Sequence, residues 1–484
     1  MGDNLQQKTF SGAIWGFLSK FSIQGFGFIQ GIILARLLMP SDYGLVAMVG
    51  IFTAISYTLV DSGFANALVR KQDRTAIDFS TVFDANVGIS TVLCIILCAC
   101  SGLIANFYHQ PLLKDIVCLN ALQLLLGSFI TIQGVKMSID LQFKQINIIS
   151  IYSTILSGIL SIILAFAGFG VMSIVYPGFF AILIRVLLYW HYQHWTPGIK
   201  FSLESFKTMF AYGSKLLASS VLDRVFINIY PIIIGKKFSA ADLGQYTRAN
   251  NYACIPSQTM IGIIGSVAFP VLSKLQDDDD RLRDVYRRML RISAFVLFPI
   301  MIGMAALARP LVIVLITEKW AQCIVYLQIL CFSQMWYPVH SLNLNLLQVK
   351  GRSDLFLRLE IVKKILYLVA IFASVPFGIL AMCIAEVIMC FFCLIINTHY
   401  TKTFINIGFF DQMKDMFPSF VYSIFMGFAI LGVTFFLDSD VAKLVVGIPV
   451  GGISYFIMAS LTKSNDLAYV KILVRNNILS RFHG

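Results

Sequence analysis

Charge is what this chain has least of. Asp, Glu, Lys and Arg make up 13% of its 484 residues, about half the share found in a soluble globular domain. With 58% of residues hydrophobic, that shortage excludes both an ordinary water-soluble enzyme and a disordered chain. Signature motifs are missing too. There is no nucleotide-binding glycine-rich loop, no HExxH pair and no EF-hand spacing, so the chain carries no ATPase, zinc-hydrolase or calcium-switch motif of its own. The opening MGDNLQQKTF has no basic stretch, and the apolar run behind it is longer than the core of a cleavable leader. The first helix is therefore expected to stay as a membrane anchor. Ten cysteines lie almost wholly inside apolar runs such as CIILCAC. Cys94 and Cys98 share a helix face there, but no histidine or acid joins them. They read as small packing residues, with no metal site and no disulfide framework.

Apolar runs long enough to cross the roughly 30 Å of bilayer hydrocarbon fill the chain instead. Spans are expected over 12–37, 43–69, 81–107, 112–132, 148–169, 171–189, 209–234, 252–272, 289–316, 321–347, 355–375, 377–396, 416–437 and 441–461. The chain is thus an all-α polytopic membrane protein of about fourteen transmembrane helices. The weak breaks AGFGV and SVPFG leave room for twelve or thirteen. Lys and Arg crowd the even-numbered loops and the tail, for example at Arg70, Lys71, Arg74, Lys136, Lys144, Arg283, Arg287, Arg288, Lys350 and Arg352. By the positive-inside rule both termini face the cytoplasm. The net charge of +12 is then mostly an orientation signal, and no nucleic-acid partner is implied. The longest polar stretch, KLQDDDDRLRDVYRRMLR from Lys274, runs from acids to bases and reads as a helix on the membrane surface.

One stretch occurs twice. IILARLLMPSDYGLV (32–46) and IIIGKKFSAADLGQY (232–246) align without a gap, matching Arg36 to Lys236, Asp42 to Asp242 and Gly44 to Gly244. Each copy ends one span and opens the next. Six spans precede the second copy's first helix, so the chain divides into two parallel six-helix lobes plus two C-terminal helices, with a substrate path expected between the lobes. The expected boundaries are residues 1–195, 196–400 and 401–484. Asp42 and Asp242 are placed like N-caps, before glycines that let helices pack closely.

ARLLMPSDYGLVAM followed by DSGFANALVRK, GFGVMSIVYPGF at 168–179 and LLQVKGRSDLFLRLEIVK at 346–363 resemble the Wzx-type polysaccharide and oligosaccharide flippases of the multidrug/oligosaccharidyl-lipid/polysaccharide exporter superfamily. The resemblance runs over the whole chain. It implies a non-enzymatic transporter that moves undecaprenyl-diphosphate-linked glycans to the outer leaflet of a bacterial inner membrane. It also implies membrane lipids, a polysaccharide polymerase and chain-length proteins as partners. A lipid II flippase or a multidrug exporter of the same superfamily, and a membrane glycosyltransferase or polymerase, are the alternatives.

A diphosphate needs cations in place of its hydration shell, and arginine's fork suits phosphate oxygens. Intramembrane charges are costly and call for a reason. Lys20 lies well inside the first span, and Lys215, Asp223 and Arg224 lie in the seventh. Lys20 and Arg224 are the candidates for the diphosphate, with Asp223 tuning Arg224 or carrying a coupling H⁺ or Na⁺. The alternative is that Asp223 and Arg224 neutralise charges that pack the lobes. Asp61 either pairs with Lys20 or Arg224 or caps a helix break. Arg248, Asn250, Asn251 and Gln258 could hydrogen-bond sugar hydroxyls or simply begin a polar helix. Glu386 and His340 are candidates for a proton relay or for internally paired packing. Glu360 is expected to pair with Lys364 at i,i+4.

Overall fold

The computed structural model describes residues 2–61, 64–71, 73–198 and 201–472. Every regular element among them is helical. That is what a bilayer demands of a chain with no barrel, since each backbone N–H and C=O must be satisfied within its own segment. Two compact units emerge, Met1–Gly244 and Gln245–Gly484.

In the first unit lie α1 (Gly2–Leu37), α2 (Pro40–Asp61), α3 (Phe64–Arg70), α4 (Ala76–Tyr108), α5 (Leu113–Ile139), α6 (Phe143–Phe166), α7 (Met172–Tyr192), α8 (Leu203–Ile227), α9 (Ile229–Lys237) and the start of α10 (Ala240–Ser273). The second unit holds the rest of α10 and then α11 (Asp279–Ala306), α12 (Ala308–Ile316), α13 (Ala321–Gln334), α14 (Tyr337–Val349), α15 (Ser353–Ser374), α16 (Ile379–Ile405), α17 (Phe409–Phe435) and α18 (Asp440–Leu461). Among the described residues, ten of these helices are long and apolar enough to cross a membrane: α2, α4, α5, α6, α7, α10, α11, α16, α17 and α18. The expected span over 209–234 is split at Asn228 between α8 and α9, and the one over 321–347 at Met335 and Trp336 between α13 and α14. The expected span over 43–69 is helical in α2 up to Asp61 and in α3 from Phe64, with residues 62 and 63 outside the described residues.

The two copies of the repeated stretch meet inside the first unit. A methyl group added to Gly44 would run into the Ala240 carbonyl, and one added to Gly244 would run into the Pro40 carbonyl. Only glycine allows backbones this close, and the reciprocity of the two contacts follows from the symmetry of the repeat. The acids act differently from the sequence expectation. Asp242 is the third residue of α10, where it accepts hydrogen bonds from the backbone N–H (3.1 Å) and hydroxyl (2.6 Å) of Ser239, whose oxygen in turn accepts from the Asp242 N–H. Asp42 accepts from the Met39 N–H at 2.9 Å. Each acid therefore reaches back from the first turn as the distal half of a capping box; the N-cap itself is the residue three places earlier.

The linker between α7 and α8 is stitched to the start of α4. Gly198 N–H donates to Ser80 Oγ (2.8 Å) and Ser202 N–H to Thr81 Oγ1 (3.0 Å). Asp78, almost wholly buried, accepts from Lys71 (2.8 Å), the Thr75 N–H (2.7 Å) and Ser205 Oγ. In the second unit a buried amide network crosses four helices: Tyr286 donates to Asn343 (3.0 Å), which exchanges bonds with Gln412, which donates to Thr401 (3.0 Å). Arg287 grips Asp415 with two parallel bonds, tying α11 to α17. In apolar surroundings such fully satisfied networks fix helix register, which featureless hydrophobic faces leave undefined.

Candidate functional site

The candidate charges of the first unit lie on its surface. Lys20, on α1, is exposed. Asp61 is the last residue of α2 and is exposed. Asp223 and Arg224, in the last turn of α8, are exposed as well. Among the described residues, the side chains of Lys20, Asp61 and Arg224 make no hydrogen bond or ion pair, so the structure does not bring Asp61 onto either cation. Arg224 also sits at a weak point of its helix. Its carbonyl accepts from both the backbone N–H (3.2 Å) and the side-chain amide (2.8 Å) of Asn228, which closes α8 before α9 begins. Lys215 lies on the backbone of α8, but its side chain falls outside the described residues. A cation held next to a helix break, unsatisfied by protein, is free to meet an anionic ligand.

Lys236, the counterpart of Arg36 in the repeat, has a local task. Its ammonium donates to the Phe107 carbonyl at the end of α4 (2.5 Å) and lies 4.5 Å from the Phe107 ring centroid. That is a cation satisfying the carbonyl end of a helix. Arg185, inside α7, donates to Ser153 Oγ on α6 at 3.0 Å.

In the second unit several candidate charges are buried. Arg248 is buried, its guanidinium 5.2 Å from the Trp320 ring centroid and 5.6 Å from that of Tyr252. Beside it Gln245 donates to the Lys319 carbonyl (2.7 Å) and accepts from the Cys323 N–H (3.1 Å). Asn250 is half-buried and accepts from the Cys254 thiol, whereas Asn251 is exposed. Glu386, buried in α16, is approached by Tyr246 Oη (3.5 Å) and Ser333 Oγ (3.4 Å). His340 bridges Cys390 Sγ (3.2 Å) and the Asn397 amide (3.0 Å). Glu360 pairs with Lys363 at i,i+3. Lys363 is the buried one of the two lysines and Lys364 the half-buried one, so the expected i,i+4 partner gives way to the lysine that most needs a counter-ion.

Sequence reasoning singled out Arg248 but missed its cluster with Gln245 and Trp320. Trp320 lies about 70 residues further along the chain, and only the packing of α10 near the start of α13 joins it to the other two. No group of three or more His, Cys, Asp or Glu side chains fit to hold a metal occurs among the described residues.

A family model described as "Polysaccharide biosynthesis protein" matches residues 33–325. The chain is 27% identical over 376 residues to the lipopolysaccharide biosynthesis protein WzxC of Escherichia coli (strain K12), covering 76% of this chain and 75% of that protein. It is 26% identical over 329 residues to the succinoglycan biosynthesis transport protein ExoT of Rhizobium meliloti (strain 1021), covering 66% and 65%. The fold is similar to that of the lipid II flippase MurJ in an inward closed conformation, with a TM-score of 0.74 and 15% sequence identity over 94% of this chain and 98% of that one.

Proposed function

This chain belongs to the polysaccharide biosynthesis protein family, and from that premise we propose that it is a transporter, not an enzyme, that flips undecaprenyl-diphosphate-linked oligosaccharide repeat units across the bacterial inner membrane by alternating access. The product would serve a surface polysaccharide such as O-antigen, capsule or exopolysaccharide, with a polymerase and chain-length proteins as downstream partners.

The observation that carries the reading is the pair of exposed cations Lys20 and Arg224, on α1 and α8, the helices that open the two repeats. Neither has a protein counter-ion among the described residues, and a lipid-linked glycan brings one in its diphosphate. Arginine binds two phosphate oxygens at once and keeps its charge at any physiological pH. The polyprenyl tail stays in lipid throughout, so the protein has only to shelter the head group. Two inward- and outward-open states that bind the same head group then suffice to move it. No organic cofactor is needed. A coupling H⁺ or Na⁺ has a candidate acid in Glu386, which the second unit surrounds with hydroxyls.

Replacing Arg224 by Ala tests the reading in cells. Lipid-linked precursor is expected to accumulate on the cytoplasmic leaflet and surface polysaccharide to fall by tenfold or more. Unchanged polysaccharide at normal protein level would remove Arg224 from the mechanism.

A further inference from the structure

The exposed faces of two membrane-length helices in the second unit differ in chemistry, one almost wholly apolar and one carrying polar groups. On α18 the exposed positions include Val445, Ile448, Ile453, Phe456 and Ile457, a surface made for lipid. On α10 the polar and glycine positions Asn251, Gln258, Thr259, Gly262, Gly265 and Ser266 are exposed, with the apolar Ile255 and Phe269 among them. At about 100° per residue the six polar and glycine positions fall within a sector of roughly 120°, while Tyr246, Ala253 and Ile264 are buried on the other side. Among the described residues, the amides of Asn251 and Gln258 have no hydrogen-bond partner. Amides left bare in hydrocarbon would cost several kcal/mol each, so this face borders water or a polar ligand.

Three details narrow the ligand. From Ala249 to Ser273 the helix carries no charge, so this stretch itself offers a diphosphate no cation. Thr259 and Ser266 donate their hydroxyl protons to the Ile255 and Ile263 carbonyls, both at 2.8 Å, which leaves their lone pairs free to accept. Pro270, inside the helix, has no N–H to offer the Ser266 carbonyl four residues back, adding another acceptor. Between these groups, side chains added at Gly262 and Gly265 would meet nothing within 4 Å, so a flat ring has room to lie against the backbone. Neutral donors and acceptors spread over about four helical turns, with open glycine positions and apolar side chains between them for sugar rings to lie on, match a chain of sugars.

We infer that this face of α10 is the glycan-contact surface of the transport path, with Asn251 and Gln258 as the amides that read sugar hydroxyls. The inference rests on the flippase reading and adds to it a specificity element separate from the cations. Losing two amide contacts of ordinary strength predicts a drop in affinity of about tenfold.

The experiment compares two probes on full-length protein in nanodiscs: undecaprenyl diphosphate bearing the oligosaccharide repeat unit of the source strain, and undecaprenyl diphosphate without sugar. The double variant N251A/Q258A is expected to bind the first about tenfold more weakly and the second within twofold of wild type. Gly262→Leu, which fills an open glycine position and leaves the amides in place, is expected to show the same selectivity. Arg224→Ala is expected to weaken both probes. Equal losses for both probes in the α10 variants, or no loss for either, would overturn the inference and leave the flippase reading standing. Failure of wild-type protein to bind either probe would overturn that reading and the inference with it.

Discussion

The two units hold their candidate charges differently. The first leaves Lys20, Asp61, Asp223 and Arg224 exposed on its helices, whereas the second buries Arg248, Lys363 and Glu386 and locks Arg287 to Asp415. Both arrangements answer the same penalty for charge in a membrane. A charge paired inside the protein holds helices together and is poorly available to a ligand; a charge left at a solvent-facing surface does little for packing and is fit to bind one. On the proposed reading, ligand work falls to the first unit's ionic groups and scaffolding to most of the second's, with neutral amides of α10 as the proposed glycan contact.

Perturbations of the two units should therefore separate. The largest effect is expected from K20A/R224A, which should abolish polysaccharide output while leaving the melting temperature in detergent within a degree or two; a strong loss of stability would place these cations in the scaffold and break the comparison. Gly44→Ala comes next. Its methyl meets the Ala240 carbonyl, and overpacking of this kind costs about 1 to 3 kcal/mol, measurable as lower folded yield. Gly50→Ala on the same helix, where nothing lies within 4 Å, should be neutral or slightly stabilising. Arg287→Ala should destabilise by about 2 kcal/mol, a figure kept low because the arginine is more than a third exposed while Asp415 is not; thermal melts would detect it, and the polysaccharide lost should only track the folded protein lost. The smallest effect concerns pH. The hydrogen bond from Lys71 to Asp78 raises the lysine above its ordinary value of 10.5. The folded lysine thus keeps its proton to higher pH than the unfolded one. Its stabilising contribution is complete below about 10.5 and lost as pH climbs through the folded value, a loss that Lys71→Met should remove from the alkaline melting curve.

Much of this architecture can be read directly from the chain. Long apolar runs leave a helical membrane protein as the only outcome, and the ungapped match of Arg36, Asp42 and Gly44 to Lys236, Asp242 and Gly244 points to the joint where the two copies meet. Helix breaks were harder to see. The hydropathy of 209–234 runs on through Asn228, because a single amide that turns back to the Arg224 carbonyl barely alters the average. Side-chain partners were harder still. Whether Glu360 takes Lys363 or Lys364 depends on which lysine faces inward, and hydropathy is blind to that. The sequence singles out Arg248 by its charge and its neighbouring asparagines, yet Trp320 and Tyr252, which flank it, become neighbours only through tertiary packing. The same holds for the polar face of α10. Asn251 and Gln258 are visible in sequence, but that they share an exposed sector with Gly262 and Ser266, opposite a buried one, requires the burial pattern.

The most direct test is a reconstituted flipping assay. Wild-type protein and Arg224→Ala would be placed in liposomes carrying the lipid-linked repeat unit, and the fraction reaching the opposite leaflet would be followed with a membrane-impermeant glycan-modifying enzyme. The account predicts rapid exposure of the glycan with wild type and at least a tenfold slower rate with the variant. Equal rates for the two, or a wild-type rate no faster than protein-free liposomes, would contradict it.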